Sequence, residues 1–229
     1  MGIDRDVAKF LLSAREQRVN FKKSLMLGNQ SFQFFKYDYT HLADVFKLDN
    51  FTRVKTATDF LQFLGAEEIA AMDFSDYEGA EIIHDLNKPV GDELKEKFTF
   101  VLDGGTTEHI FNFPVALANA MEMVEVGGHL VIITGGNNFL GHGFYQFSPE
   151  LFYRALSQEN GFEVKRMIAA ENLERIQAVA AELNCPLEIV GHVGGERLKI
   201  KTNDSENVSA LISELENAWE KSLEKQLEN

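Results

Sequence analysis

The chain has 229 residues, 45% of them hydrophobic and 25% charged, which suits one soluble α/β domain with additions. Its net charge of −14, from 22 basic and 36 acidic residues, argues against a DNA or RNA partner, because phosphate backbones are bound by basic surfaces. The longest apolar runs fall far short of a membrane span, the N-terminus has no signal-peptide pattern, and the one cysteine, Cys185, excludes an internal disulfide and fits a reducing cytoplasm.

Residues 4–18 set Val7, Phe10, Leu11 and Ala14 on one helical face. Ser24 to Leu27 is a short apolar strand ending at Gly28-Asn29-Gln30. An insert at 32–55 is rich in aromatics, with Phe32, Phe34, Phe35, Tyr37, Tyr39, Phe46 and Phe51. Three roles are open to it: a lid over a substrate, a core helix, or a subunit contact, the last compatible with a homodimer. A helix is predicted from Thr56 to Leu64, with Gly65 just past its end. Ile69 to Met72 is a second strand closed by Asp73, and Ala80 to Ile83 a third, closed by His84-Asp85-Leu86-Asn87.

The next stretch is the most informative. Phe98 to Leu102 is an apolar strand closed by Asp103-Gly104-Gly105. A helical stripe follows with Val115, Leu117, Ala118, Met121 and Val124, Gly127-Gly128 is read as its end, and His129 to Thr134 is another strand. Two strands joined by one helix imply a parallel βαβ crossover, and ligands of such sheets bind at the carboxyl ends of the strands. Those two ends carry Asp103, Glu108, His109, Asn137, Asn138, His142 and Tyr145. A helix is predicted at 149–157, capped by Ser148, then strands at 162–168 and 197–202 separated by a helix at 171–184. An acidic amphipathic helix over 205–227 closes the chain, with Val208, Leu211, Ile212, Leu215, Trp219 and Leu223 on its apolar stripe. Cys185, beside Pro186, reads as packing. The alternation predicts a doubly wound, mostly parallel sheet with N- and C-terminal helices in a single domain over 1–229, its core spanning about 23–203.

The segment FTFVLDGGTTEHIFN…ALANAMEMVEVGGHLVII resembles the region from the fourth to the fifth strand of class I S-adenosylmethionine (SAM)-dependent methyltransferases, and the likeness extends over residues 23–165. The resemblance implies a seven-stranded sheet, with an antiparallel edge strand supplied by 162–168 and 197–202, and SAM as cofactor. It implies that Gly28, Asn29 and Gln30 form the cofactor loop, although only Gly28 survives of the family's GxGxG pattern. Asp73, with Phe74 beside it, would hold the ribose hydroxyls. Asp85 and Leu86 would meet the adenine, and Asp103 and Gly104 would close the crevice from the fourth strand.

Methyl transfer needs a base only when the acceptor holds its proton, and an imidazole titrates in the right range. His142 and His109 are therefore the candidate bases, with Tyr145, Phe144 and Phe147 walling a pocket for a small-molecule acceptor, more readily an oxygen than a nitrogen or carbon. Asp103 with Asn137-Asn138 partly echoes a Mg²⁺ arrangement of some family members, but it has a single carboxylate and no metal is assigned. Two other classes stay open. An NAD(P)-dependent oxidoreductase would use the same kind of sheet, and a catalytically silent SAM-fold subunit would explain the reduced glycine loop.

Overall fold

A computed structural model of the protein describes residues 2–137, 140–168, 197–202 and 205–211. The chain forms two compact units, Met1–Met167 and Ile168–Asn229. The first unit opens with β1 (Gly2–Ile3) and α1 (Arg5–Glu16), capped by Asp4, whose carboxylate accepts from the backbone N–H groups of Asp6 and Val7. Strand β2 (Lys23–Leu27), β3 (Ser31–Phe32), α2 (Lys36–Phe46) and α3 (Ala57–Leu64) follow, then β4 (Glu68–Asp73) and β5 (Ile82–Ile83). The unit continues with β6 (Phe98–Asp103), α4 (Phe113–Met123), β7 (Val124–Ile132) and α5 (Pro149–Ala155).

Five of these strands form one sheet in the order β5-β4-β2-β6-β7, every pair parallel. The direction of strand succession reverses between β2 and β6, which is the switch point where open α/β sheets open a crevice. Alternate residues of each strand feed opposite faces. Met26, Phe100 and Leu102 pack with α1 and α3 on one side. Leu25, Leu27, Met72 and Val101 pack with Ala116, Ala120 and Met123 of α4 on the other. The sheet is therefore doubly wound and Rossmann-like.

The aromatic insert is a core element. Phe32 and Phe34 stack at 4.2 Å, Phe51 meets Phe34, Tyr39 and Phe60 edge-on or tilted, and the Tyr39 hydroxyl donates to Val54 O at 2.8 Å. Phe35 and Tyr37 alone of the insert's aromatics stand largely exposed among the described residues. Helix α3 keeps its predicted bounds: Thr56 and Asp59 form a capping box and Gly65 ends it in the left-handed conformation.

Several expectations are corrected. The third strand is only two residues long, because the Glu81 carboxylate, rather than a backbone carbonyl, takes the Ala71 N–H at 2.7 Å. Gly127-Gly128 does not end a helix: α4 stops at Met123, and the pair lies inside an irregularity where Phe98 pairs with Val124 but Phe100 with His129. Residues 162–168 form no strand. That segment is held by side chains instead, Arg166 donating to Ser13 Oγ at 2.7 Å and lying over the Phe10 ring. The main sheet thus has five strands among the described residues, not seven, and no antiparallel edge. In the second unit β8 (Arg197–Thr202) pairs antiparallel with β9 (Ser205–Leu211), so the helix expected from 205 gives way to a strand. Asn207, Val208 and Ser209 are poor helix formers, and the alternation there satisfies a period of two as well. The helix expected at 171–184, Cys185 and the remainder of the terminal helix lie outside the described residues.

Candidate functional site

The switch point is closed by short bonds. Gly28, at φ +73°, turns the chain off β2 while its N–H donates to Met72 O of β4 at 2.7 Å. A side chain there would come within 2.8 Å of Thr106 Oγ1, and that hydroxyl donates across the crevice to Leu27 O at 2.6 Å. Gln30 is buried and donates through Nε2 to the same carbonyl at 2.7 Å. Its Oε1 accepts no hydrogen bond, and only the missing side chain of Gly104 leaves space for it. Asn29 reaches the other way, donating to Glu78 O at 2.5 Å. A cleft of 350 Å³ lies beside this turn, lined by Asn29, Gln30, Ser31, Phe32 and Lys55 to Thr58.

Asp73 ends β4, one strand away. It is half-buried, and among the described residues its carboxylate accepts only from Phe74 N, at 2.6 Å, so most of its acceptor capacity is left over for a ligand. Phe74 is exposed beside it. Asp85 is spent locally. It accepts from the side-chain and backbone nitrogens of Asn87 and lies 3.3 Å from Lys88 Nζ, and these bonds, Asn87's side chain foremost, hold its carboxyl below the usual range. Leu86 packs in the core under β2 and β6 rather than offering a surface to a ring. Asn119 pins that loop from α4, accepting from Val90 N and donating to Leu86 O and Lys88 O.

Asp103 ends β6 fully buried. It accepts from Thr106 N at 2.9 Å, Thr107 N at 3.3 Å and the Thr107 hydroxyl, so it caps the turn that follows. Burial dominates these three donors, and with a smaller contribution from the negative charge of Glu108 it pushes the carboxyl up from 3.8 to about 6. The residue shapes the loop and offers no open face to a ligand.

The turn capped by Asp103 carries Glu108 and His109. Glu108 is fully buried and its Oε2 accepts from Thr134 Oγ1, just past β7, at 3.1 Å. Its carbonyl accepts from Phe144 N at 2.7 Å, which clamps the Gly141–Phe147 loop onto the turn. Gly143 permits this approach: at φ +67° a side chain would meet Glu108 O at 2.9 Å. The clamp brings His142 Nε2 to 3.6 Å from Glu108 Oε1 and sets its ring 4.7 Å from that of His109, nearly perpendicular. The two histidines singled out from sequence therefore share one site with Glu108, and the ligand atoms of all three lie within 4.8 Å of one another.

Tyr145 is a strut. Its hydroxyl donates to Phe111 O at 2.6 Å and its ring stacks on Phe147, so it ties the two loops together. Phe111 and Phe144 meet edge to face at 5.9 Å and stand exposed, forming an apolar flank in the same two loops as the histidines. Of the Asp103, Asn137 and Asn138 grouping, Asp103 is sealed and Asn138 lies outside the described residues. The burial of Glu108 and the bridging role of Thr106 are not anticipated from sequence.

No known family profile and no characterised protein matches the sequence. Among solved structures the chain is similar to a putative methyltransferase from Bacillus halodurans C-125. The match has a TM-score of 0.37 and 14% identity, and covers 68% of this chain and 70% of the other.

Proposed function

We propose that the protein is a SAM-dependent methyltransferase acting on a small-molecule acceptor, with oxygen the preferred atom. The observation that carries the reading is Asp73: a carboxylate with acceptor capacity left over at the end of β4, one strand from the Gly28 turn, at the switch point of a β5-β4-β2-β6-β7 parallel sheet. A ribose with two vicinal hydroxyls suits such a carboxylate, which can accept from both. The resemblance of residues 98–132 to the family's fourth-to-fifth-strand region supports SAM over other nucleotides. SAM supplies a methyl group made electrophilic by its sulfonium.

The chain's own residues would position the reactants. Gly28 and Asp73 hold the cofactor side, and the Phe111–Phe144 flank and the Glu108, His109 and His142 cluster form the acceptor side. Positioning alone is worth a large share of such a displacement, and the cluster would remove the acceptor's proton. Asp85 and Leu86 are not assigned to the adenine, since one is engaged locally and the other is in the core.

One observation favours a second reading, a SAM-fold subunit without methyl transfer. Gln30 occupies the crevice between the ends of β2 and β6, against Gly104, where a cofactor would approach. The test is Asp73→Ala with the demethylated product S-adenosylhomocysteine (SAH) as ligand. Loss of a hydrogen bond to a charged group costs about 1.5–3 kcal/mol, roughly a 10- to 150-fold weaker Kd. Unchanged SAH affinity in a folded Asp73→Ala protein removes Asp73 from the site and the reading with it.

A further inference from the structure

We propose that Glu108, His109 and His142 form a binding site for one divalent transition-metal ion, of the Zn²⁺ class, between the ends of β6 and β7. Existence of this site does not depend on the methyltransferase reading.

The donor set favours such an ion. Two imidazoles and one carboxylate suit borderline ions such as Zn²⁺, whereas Mg²⁺ and Ca²⁺ favour oxygen ligands. The donor atoms lie within 4.8 Å of one another. Ligands about 2.1 Å from a tetrahedral ion are about 3.4 Å apart, so closure requires a contraction of about an ångström or so. His109 is exposed and its side chain has room to make that movement.

The cluster also has an unmet electrostatic need. Glu108 has no solvent exposure, and among the described residues its Oε1 accepts no hydrogen bond. The His142 imidazole lies beside it, its Nε2 at 3.6 Å, too long for a hydrogen bond. Asp103, also fully buried, adds a second nearby acid, and among the described residues no lysine or arginine pairs with either. A buried carboxylate in that position is costly without a compensating charge. Protonating both imidazoles would set two cations side by side, whereas one metal ion satisfies the carboxylate and leaves both rings neutral.

The donors are held in place by their surroundings. Thr134 Oγ1 fixes Glu108 through Oε2, leaving Oε1 directed at the histidines, as outer-shell bonds orient metal ligands elsewhere. The Phe144 N to Glu108 O bond and the close approach at Gly143 hold His142 against Glu108. Together these supply three donors and leave a further coordination position, as in sites where a metal-bound water or hydroxyl loses its proton near neutral pH.

The test uses the full chain stripped with a chelator and titrated with Zn²⁺ alone, with Co²⁺ as an absorbance probe. One equivalent should bind, with visible Co²⁺ bands, and a hundredfold excess of Mg²⁺ should not displace it. His109→Ala, His142→Ala and Glu108→Gln should each weaken binding at least 10-fold. Cys185→Ser and His41→Ala should leave it unchanged. His109 is exposed, so His109→Ala remains informative even if Glu108→Gln does not fold. Absence of stoichiometric Zn²⁺ binding, or binding untouched by His109→Ala and His142→Ala, overturns the site. A raised His142 titration with no metal uptake also overturns it, leaving a Glu108–His142 ion pair. SAH binding to the stripped protein tests the methyltransferase reading separately, because Asp73 and Gly28 lie outside the cluster.

Discussion

Replacing Asp103 by Asn isolates the balance between burial and capping at the end of β6. The carboxyl is fully buried, accepts from two backbone N–H groups and one hydroxyl, and is raised from 3.8 to about 6. Because its folded value lies above the unfolded one, the folded state holds a proton that the unfolded state has released at intermediate pH. The stability this group contributes is complete below about pH 3.8 and is lost as pH rises through about 6. At about 1.36 kcal/mol per pH unit, a gap of roughly two units is worth on the order of 3 kcal/mol. Asn keeps the shape and cannot ionise, and the Thr107 hydroxyl can reverse to accept from it. Urea unfolding of both proteins from about pH 4, where a small part of that gap is already lost, to pH 8 should therefore show the natural protein losing about 2.5 kcal/mol relative to Asp103→Asn. A flat difference would refute the shift. A difference that grows in favour of the natural protein would mean that the three donors outweigh burial.

Three further outcomes are expected. Tyr145→Phe removes the bond to Phe111 O and should cost about 0.5–1.5 kcal/mol of stability, with SAH affinity unchanged in calorimetry. Phe51→Ala empties a fully buried position among Phe34, Tyr39, Phe60 and Phe63 and should cost about 3–5 kcal/mol in chemical denaturation. A loss under 1 kcal/mol would show that the insert is not core. Both His109→Ala and His142→Ala should slow SAH release from SAM by about 10²–10⁴-fold across a panel of small alcohols and phenols, and near-normal rates in both would leave positioning as the sole source of catalysis.

Much of the fold was legible because its signals are local. The strands at 23–27, 68–73 and 98–103 are apolar runs stopped by Gly or Asp, and α1 and α3 carry a helical stripe with caps at both ends. What failed depends on partners distant in sequence. Gly127-Gly128 can end a helix or sit in a strand irregularity, and only the register of Phe98 and Phe100 against β7 decides. Residues 205–211 fit both periodicities until β8 supplies a partner. Within the candidate site, His109 and His142 were legible as candidate bases on adjacent loops, but the contact that sets His142 against a buried Glu108 was not. It arises from the Phe144 N to Glu108 O bond, a contact between segments more than 30 residues apart that places a charged residue wholly inside. Leu86 was ambiguous for the converse reason: an apolar residue after a strand end is as suited to the core as to a ligand's ring, and its side chain packs in the core.

The most direct test of the account is calorimetric titration of the natural protein with SAM, SAH, NAD and NADP in parallel. The account predicts one site for SAM and for SAH and no heat from either nicotinamide nucleotide. Binding of NAD or NADP without SAH would contradict it, assigning Asp73 to the ribose of a dehydrogenase cofactor. No binding by any of the four would mean that Gln30 closes the crevice and that the sheet serves a partner rather than a nucleotide.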